Sequence, residues 1–140
     1  MEKLKQLHPK LQKAMPQIMV FFQLKYPELR LLFSCGYRSV KTQQKLYAQG
    51  RASPGPIVTY CDGIKKRSPH NYRPSRAVDV VVFDKRRGEV TWSSKHYEPL
   101  IPLCQELGLV CGGSWKKFKD WGHIELPDWK STKWGTNEKG

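Results

Sequence analysis

Apolar residues at Leu11, Ala14, Met15, Ile18, Met19 and Phe22 recur at intervals of three and four, which predicts a helix over 9–25 with Pro9 in its first turn. Pro16 interrupts that run, so a kink or a second helix start is predicted there. Residues 28–34 read as a strand ended by Gly36, and Ser39 is placed to cap a helix over 40–49 that stops at Gly50. Residues 51–67 hold Pro54-Gly55-Pro56 and Asp62-Gly63 and are predicted as loop, with one extended piece at 57–60. The run Ala77-Val78-Asp79-Val80-Val81-Val82-Phe83 predicts a central strand buried on both faces, and 90–92 its hairpin partner across Arg87-Gly88. Tyr97, Leu100, Ile101 and Cys104 restore helical spacing up to Leu107, with Pro99 and Pro102 fitting only in a first turn. Short strands at 109–111 and 122–126 complete the pattern. The order α-β-α-β-β-α-β-β predicts a single small α+β domain, residues 1–126, with helices packed on a mostly antiparallel sheet. A polar tail, 127–140, follows, and its last residues are expected to be mobile.

One residue breaks the apolar pattern. Asp79 stands inside the valine strand, where a carboxylate costs several kcal/mol unless it is paired or bound to a metal. His70 lies on the loop feeding that strand, and His123 opens a late strand whose period puts Glu125 on the same face. Two histidines and one carboxylate, with a fourth position open, form the ligand set of a catalytic zinc rather than a structural one. Asp120, three residues before His123 across a Trp-Gly turn, is placed to exchange a proton with water at the open position. Its plainer role is to balance Lys116, Lys117 and Lys119. Arg38 precedes a predicted helix N-terminus, where the dipole disfavours a cation. It is a candidate for holding an oxyanion or a substrate carboxylate, or else a plain surface arginine. His8 and His96 belong to no such motif and are read as hydrogen-bonded structural residues.

The composition narrows the partners. At 140 residues, with 39% hydrophobic and 26% charged positions, the chain is an ordinary globular domain except for its net charge of +13. Basic clusters at Lys65-Lys66-Arg67, Lys85-Arg86-Arg87 and Lys116-Lys117-Phe118-Lys119 draw polyanions: nucleic acid, anionic lipid or an anionic cell wall. No recognition helix, aromatic RNA-binding strand or zinc-finger spacing is present in the sequence, so specific nucleic-acid binding is not expected. The four cysteines form no Cys-x-x-Cys pair and are read as reduced, mostly buried residues of a protein made in a reducing compartment. The stretch from Met15 to Leu24 is broken by Pro16, Gln17 and Gln23 and has no small-residue cleavage site, so neither an export signal nor a membrane span is expected.

Several motifs in series carry a resemblance. Ser34-Cys35-Gly36-Tyr37-Arg38-Ser39, Gln43, Leu46-Tyr47-Ala48-Gln49-Gly50-Arg51 and Pro54-Gly55-Pro56-Ile57-Val58-Thr59 are followed by Ser68-x-His70, Ala77-Val78-Asp79, 108–115 and Asp120-x-x-His123-x-Glu125. Over residues 7–126 this order resembles the phage-type L-alanyl-D-glutamate peptidases, zinc endolysins related to the D-alanyl-D-alanine peptidases. The resemblance implies a zinc D,D-peptidase-like fold with His70, Asp79 and His123 as zinc ligands, Asp120 as general base and acid, and Arg38 as transition-state stabiliser. Gln43 and Ser68 would line the substrate site or orient its groups. Aspartate at position 120 resembles the L-alanyl-D-glutamate branch, since the D-alanyl-D-alanine enzymes usually carry glutamate there. Three features depart from the pattern. His70 and Asp79 stand two residues further apart than usual, Arg73-Pro74-Ser75 replaces a glycine turn, and Cys111 replaces a tryptophan. The implied partners are the peptidoglycan stem peptide and the anionic wall surface, for a monomer held in the host cytoplasm until lysis. A D-alanyl-D-alanine carboxypeptidase or dipeptidase on the same scaffold is the nearer alternative, and a non-catalytic basic binding module the more distant one.

Overall fold

In the computed structural model, which describes residues 3–130, five strands pair antiparallel throughout around one long central strand. They are β1 (Leu29–Cys35), β2 (Ala77–Asp84), β3 (Glu89–Thr91), β4 (Val110–Cys111) and β5 (His123–Glu125), and the sheet order is β1-β2-β5-β4 with β3 paired to β2. One edge of β2 is covered by β1 along its length. Its other edge is shared: β5 pairs with 77–79 and β3 with 82–84. In the gap between them, Val80 N donates to Gly122 O (2.9 Å) and Val82 N to the Tyr97 hydroxyl (3.1 Å). That gap matters, because it opens beside Asp79.

Helices α1 (Pro9–Lys25), α2 (Val40–Ala48) and α3 (Leu100–Glu106) complete the α+β order read from the sequence. Leu11, Ala14, Met15, Ile18 and Phe22 of α1 form one core with Val78, Val80 and Val82 of β2 and with Leu100 and Cys104 of α3. Burying an aliphatic or aromatic side chain of this size contributes about 1.5–3 kcal/mol, so this face of β2 anchors the domain. Ser39 caps α2 as expected, its hydroxyl accepting from Thr42 N. The four cysteines are free thiols; Cys104 and Cys111 are buried, Cys35 and Cys61 half-buried. Among the described residues no helix is long and apolar enough to cross a membrane.

The structure corrects four expectations. Helix α1 runs unbroken through Pro16. Pro16 and Gln12, whose carbonyl loses its helical donor, both face solvent, so water replaces the lost bond. Residues 57–60 form no strand, and the third helix begins only at Leu100, after a separate 3-10 turn at Ser94–His96. Finally, β2 is not buried on both faces: Val78, Val80 and Val82 are buried, whereas Asp79, Val81 and Phe83 are half-exposed. The functional face of the strand is open to a cleft rather than packed under a second layer. The expected mobility of the final residues concerns positions outside the described residues.

Candidate metal centre and active site

Register brings the first elements together. Asp79 on β2 stands opposite His123 of β5 and, across a bulge, opposite Cys35 of β1. His70 arrives from a 3-10 turn, Pro69–Asn71, whose capping box fixes its aim: Ser68 Oγ accepts from His70 N (3.2 Å) and Asn71 Oδ1 accepts from Ser68 N (2.9 Å). Asn71 Nδ2 also donates to Arg38 O (2.9 Å), and Arg38 N to His70 O (2.8 Å), which ties the turn to the end of β1.

The ring nitrogens are sorted by their partners. His70 Nδ1 bonds to the Gly36 carbonyl (2.7 Å), leaving Nε2 toward Asp79 Oδ1 at 3.2 Å. His123 Nε2 bonds to Glu125 Oε1 (2.7 Å), leaving Nδ1 toward the same Asp79 oxygen at 3.0 Å. An outer nitrogen held by a carbonyl or carboxylate, with the inner one turned to a shared point, is the arrangement that orients metal-binding histidines. The donor set therefore fits a zinc ion: two imidazoles and a carboxylate converge, and Glu125 and Gly36 fix the two tautomers. Trp115 packs at 5.3 Å from the His123 ring and shields one side of it.

Electrostatics agree with that geometry. Burial alone would raise Asp79, but hydrogen bonds from His123 and His70 hold its carboxyl far below the usual carboxylate range. Burial alone would lower His123, but hydrogen bonds to Asp79 and Glu125 outweigh it and push it up to about 10. His70 is raised in the same way, against the effect of burial, chiefly by Asp79 and Cys35. Without a cation, the charge of Asp79 thus favours the protonated form of both rings.

Asp120 is arranged differently. Its carboxylate oxygen lies within 4.8 Å of ligand atoms of Asp79 and His123, yet among the described residues nothing donates a hydrogen bond to that carboxylate and it pairs with none of Lys116, Lys117 and Lys119. Partial desolvation raises its pKa, and the negative charge of Asp79 adds to the effect. Its loop is held by close backbone packing: a Cβ at Gly112 would overlap the Asp120 carbonyl, and one at Gly122 the Val80 carbonyl. Lys119 Nζ braces the same loop through the carbonyls of Gly113 (2.9 Å) and Trp115 (2.6 Å). A cleft of about 330 Å³ opens here, lined by Asp79, Val80, Val81, Trp92, Tyr97 and Asp120 among others.

Arg38 reaches the same centre from the other side. Its Nη2 lies 3.4 Å from Asp79 Oδ2 and its Nη1 donates to Gln43 Oε1 at 3.0 Å. Gln43 is fully buried, and its amide donates to Thr59 Oγ1 (3.3 Å) and Cys61 O (2.9 Å). Gln43 and Ser68 thus occupy orienting positions, one behind Arg38 and one behind His70. Sequence reasoning missed Gly36, Asn71, Cys35 and Trp115. Cys35 is the least foreseeable: its thiol lies within 4.8 Å of ligand atoms of His70 and Asp79, although β1 pairing gave no sign of it. The capping-box spacing of Ser68 and Asn71 was a readable signal for the second.

Several known proteins are similar to this chain. Residues 62–126, which contain all three ligand candidates and Asp120, match the D-alanyl-D-alanine carboxypeptidase family. Over 100 residues, 65% of the chain, it is 36% identical to the peptidoglycan L-alanyl-D-glutamate endopeptidase CwlK of Bacillus subtilis, and it spans 57% of that protein's length. The L-Ala D-Glu endopeptidase ChiX of Serratia marcescens superposes with a TM-score of 0.59 at 27% identity, covering 89% of this chain and 84% of that one. The LD-carboxypeptidase LdcB, at 19% identity and a TM-score of 0.57 over 86% of this chain and 65% of its own, shares the fold alone. The chain is thus similar in sequence to an L-alanyl-D-glutamate endopeptidase over part of that protein's length, and it shares the fold of another.

Proposed function

We propose that this chain is a zinc peptidase that hydrolyses the L-alanyl-D-glutamate bond of the peptidoglycan stem peptide. The observation that carries the reading is the convergence of His70 Nε2 and His123 Nδ1 on one oxygen of Asp79, beside the Asp120 carboxylate, which accepts no hydrogen bond among the described residues. Zinc, when held by His70, Asp79 and His123, would supply Lewis acidity toward the scissile carbonyl and lower the pKa of water to about 7. Asp120 accepts a proton from the attacking water at its free carboxylate and returns it to the departing amine of D-glutamate. Arg38 offers guanidinium N–H groups to the oxyanion as charge develops, and Gln43 keeps that guanidinium from collapsing fully onto Asp79. Glu125 and Gly36 keep the two imidazoles in the tautomers that binding requires.

The family matched by residues 62–126 supports a second reading, a D-alanyl-D-alanine carboxypeptidase on the same scaffold. End-group analysis of purified peptidoglycan after digestion separates the two. New N-terminal glutamate supports the endopeptidase, and free D-alanine supports the rival. A chelator abolishes either product if the metal is required, and undiminished cleavage by metal-stripped protein rules out the mechanism. The physiological role we propose is wall lysis by a phage-type endolysin that is monomeric and waits in the host cytoplasm. Its +13 charge would hold it on the anionic wall. Lysis of whole walls should then fall with added salt more steeply than cleavage of a small soluble peptide.

A further inference from the structure

Two half-exposed aromatic rings remain without a role in the chemistry above. Tyr60 and Phe118 meet edge-on, with centroids 5.2 Å apart and planes at 66°, and are 55% and 52% exposed. Tyr60 lies between Thr59 and Cys61, the residues that receive the Gln43 amide behind Arg38. Phe118 lies two residues before Asp120. The pair therefore joins the loop that braces Arg38 to the loop that carries Asp120. Phe118 also has φ of 51°, alone among the described non-glycine residues in having a positive value. This conformation is unfavourable for a bulky side chain, and here it presents an apolar ring to solvent.

We propose that this pair is a saccharide subsite that holds the muramoyl sugar of a glycan-attached stem peptide. The inference rests on the peptidase reading, and substrate chemistry narrows the choice. Around an L-alanyl-D-glutamate bond the peptide presents a methyl group and carboxylates, none of which needs two aromatic rings. The muramoyl sugar, joined to L-alanine through its lactyl group, is the neighbouring group with C–H faces. Those faces suit the electron-rich face of an aromatic ring. Reach agrees: Phe118 and Asp120 are two positions apart, at most about 7 Å of chain, and one alanyl residue with a lactyl bridge spans a similar length. Arg51, stacked over Tyr47 at 3.8 Å and 5.7 Å from the Tyr60 ring, adds hydrogen-bond donors for the sugar's oxygens.

The test is a binding comparison on the full chain between N-acetylmuramoyl-L-alanine and N-acetyl-L-alanine, followed by NMR titration. Neither compound contains the scissile bond, so the result is independent of catalysis. The muramoyl compound should bind at least about tenfold more tightly, a difference of about 1.4 kcal/mol. Tyr60→Ser and Phe118→Gly should each remove most of that preference, and glycine adopts the Phe118 backbone conformation without strain. Equal affinity for the two compounds in the wild type overturns the proposal, as does a preference retained in whichever variants fold. Failure to cut a stem peptide would instead count against the peptidase reading, so the two failures are distinguishable.

Discussion

Asp79 and Asp120 are two carboxylates beside one centre, and their surroundings are opposed. Asp79 receives His70, His123 and Arg38, and is held far below the usual carboxylate range. Asp120 sits on a loop fixed by glycine contacts, with its carboxylate accepting no hydrogen bond among the described residues and its pKa raised. A group that must stay ionised and immobile is saturated with donors, whereas a group that must take up and release a proton keeps its lone pairs free. The difference supports the separate roles proposed for them, which residue type alone does not distinguish.

The comparison breaks most sharply at Asp120. Asp120→Asn should lower kcat by about 10²–10⁴-fold while the protein retains its full metal content, read by elemental analysis beside the kinetics. Loss of metal with activity would make Asp120 a ligand and erase the distinction. Asp79→Asn should do the reverse and lose the metal first. Arg38→Met comes next, with about 10²–10³-fold lost in kcat and little change in metal content. Arg38→Lys should recover only part of that loss, because one ammonium cannot reproduce the paired geometry toward Gln43 and Asp79. A full recovery would reduce Arg38 to a point charge.

Glu125 sharpens the comparison on the ligand side. It accepts from the outer nitrogen of His123 at 2.7 Å. Glu125→Gln should weaken zinc binding by about 10–100-fold, measured by competition with a chromophoric chelator, with a smaller effect on kcat at saturating metal. An unchanged affinity would mean that the Asp79 contact and β5 alone hold the imidazole.

How far these residues could be read from the sequence follows from the range of the interactions. Element order was legible because α1 and α3 carry a helical period and β2 a continuous apolar run, and the Asp79 anomaly is visible only against such a background. The continuous valine run nevertheless misled about burial. Period two does not report whether the second face of a strand meets another layer or an open cleft, and here Val81 and Phe83 are half-exposed. Asp79 stood out because buried charge is costly, and His70 and His123 because each belongs to a motif with an acid partner. The carbonyl of Gly36 and the Trp115 ring left no such mark, since a backbone acceptor has no residue signature and a tryptophan without periodicity reads as loop. The Tyr60–Phe118 contact joins positions far apart in sequence and had no local trace at all.

The smallest expected effect tests whether protons and the metal compete for the same nest. In the metal-free protein the His123 pKa is pushed up to about 10, above the ordinary 6.5. Its contribution to stability is therefore complete below about pH 6.5 and disappears as pH rises through 10. Asp79, shifted down, keeps its contribution in neutral solution and loses it only in acid, below the ordinary 3.8. Calorimetry with chelator present should show Tm falling across the alkaline window, by about 3 °C for each kcal/mol lost. Zinc at saturating concentration should flatten that decline, because binding needs the deprotonated imidazole that high pH supplies. Glu125→Gln should narrow the alkaline decline of the metal-free protein by removing one of the two carboxylate charges that raise His123. A metal-free Tm that rises from pH 7 to 9 while the zinc-loaded Tm stays level would mean that His123 is neutral without metal, so that Asp79 is not saturated by the proton-bearing contacts described here.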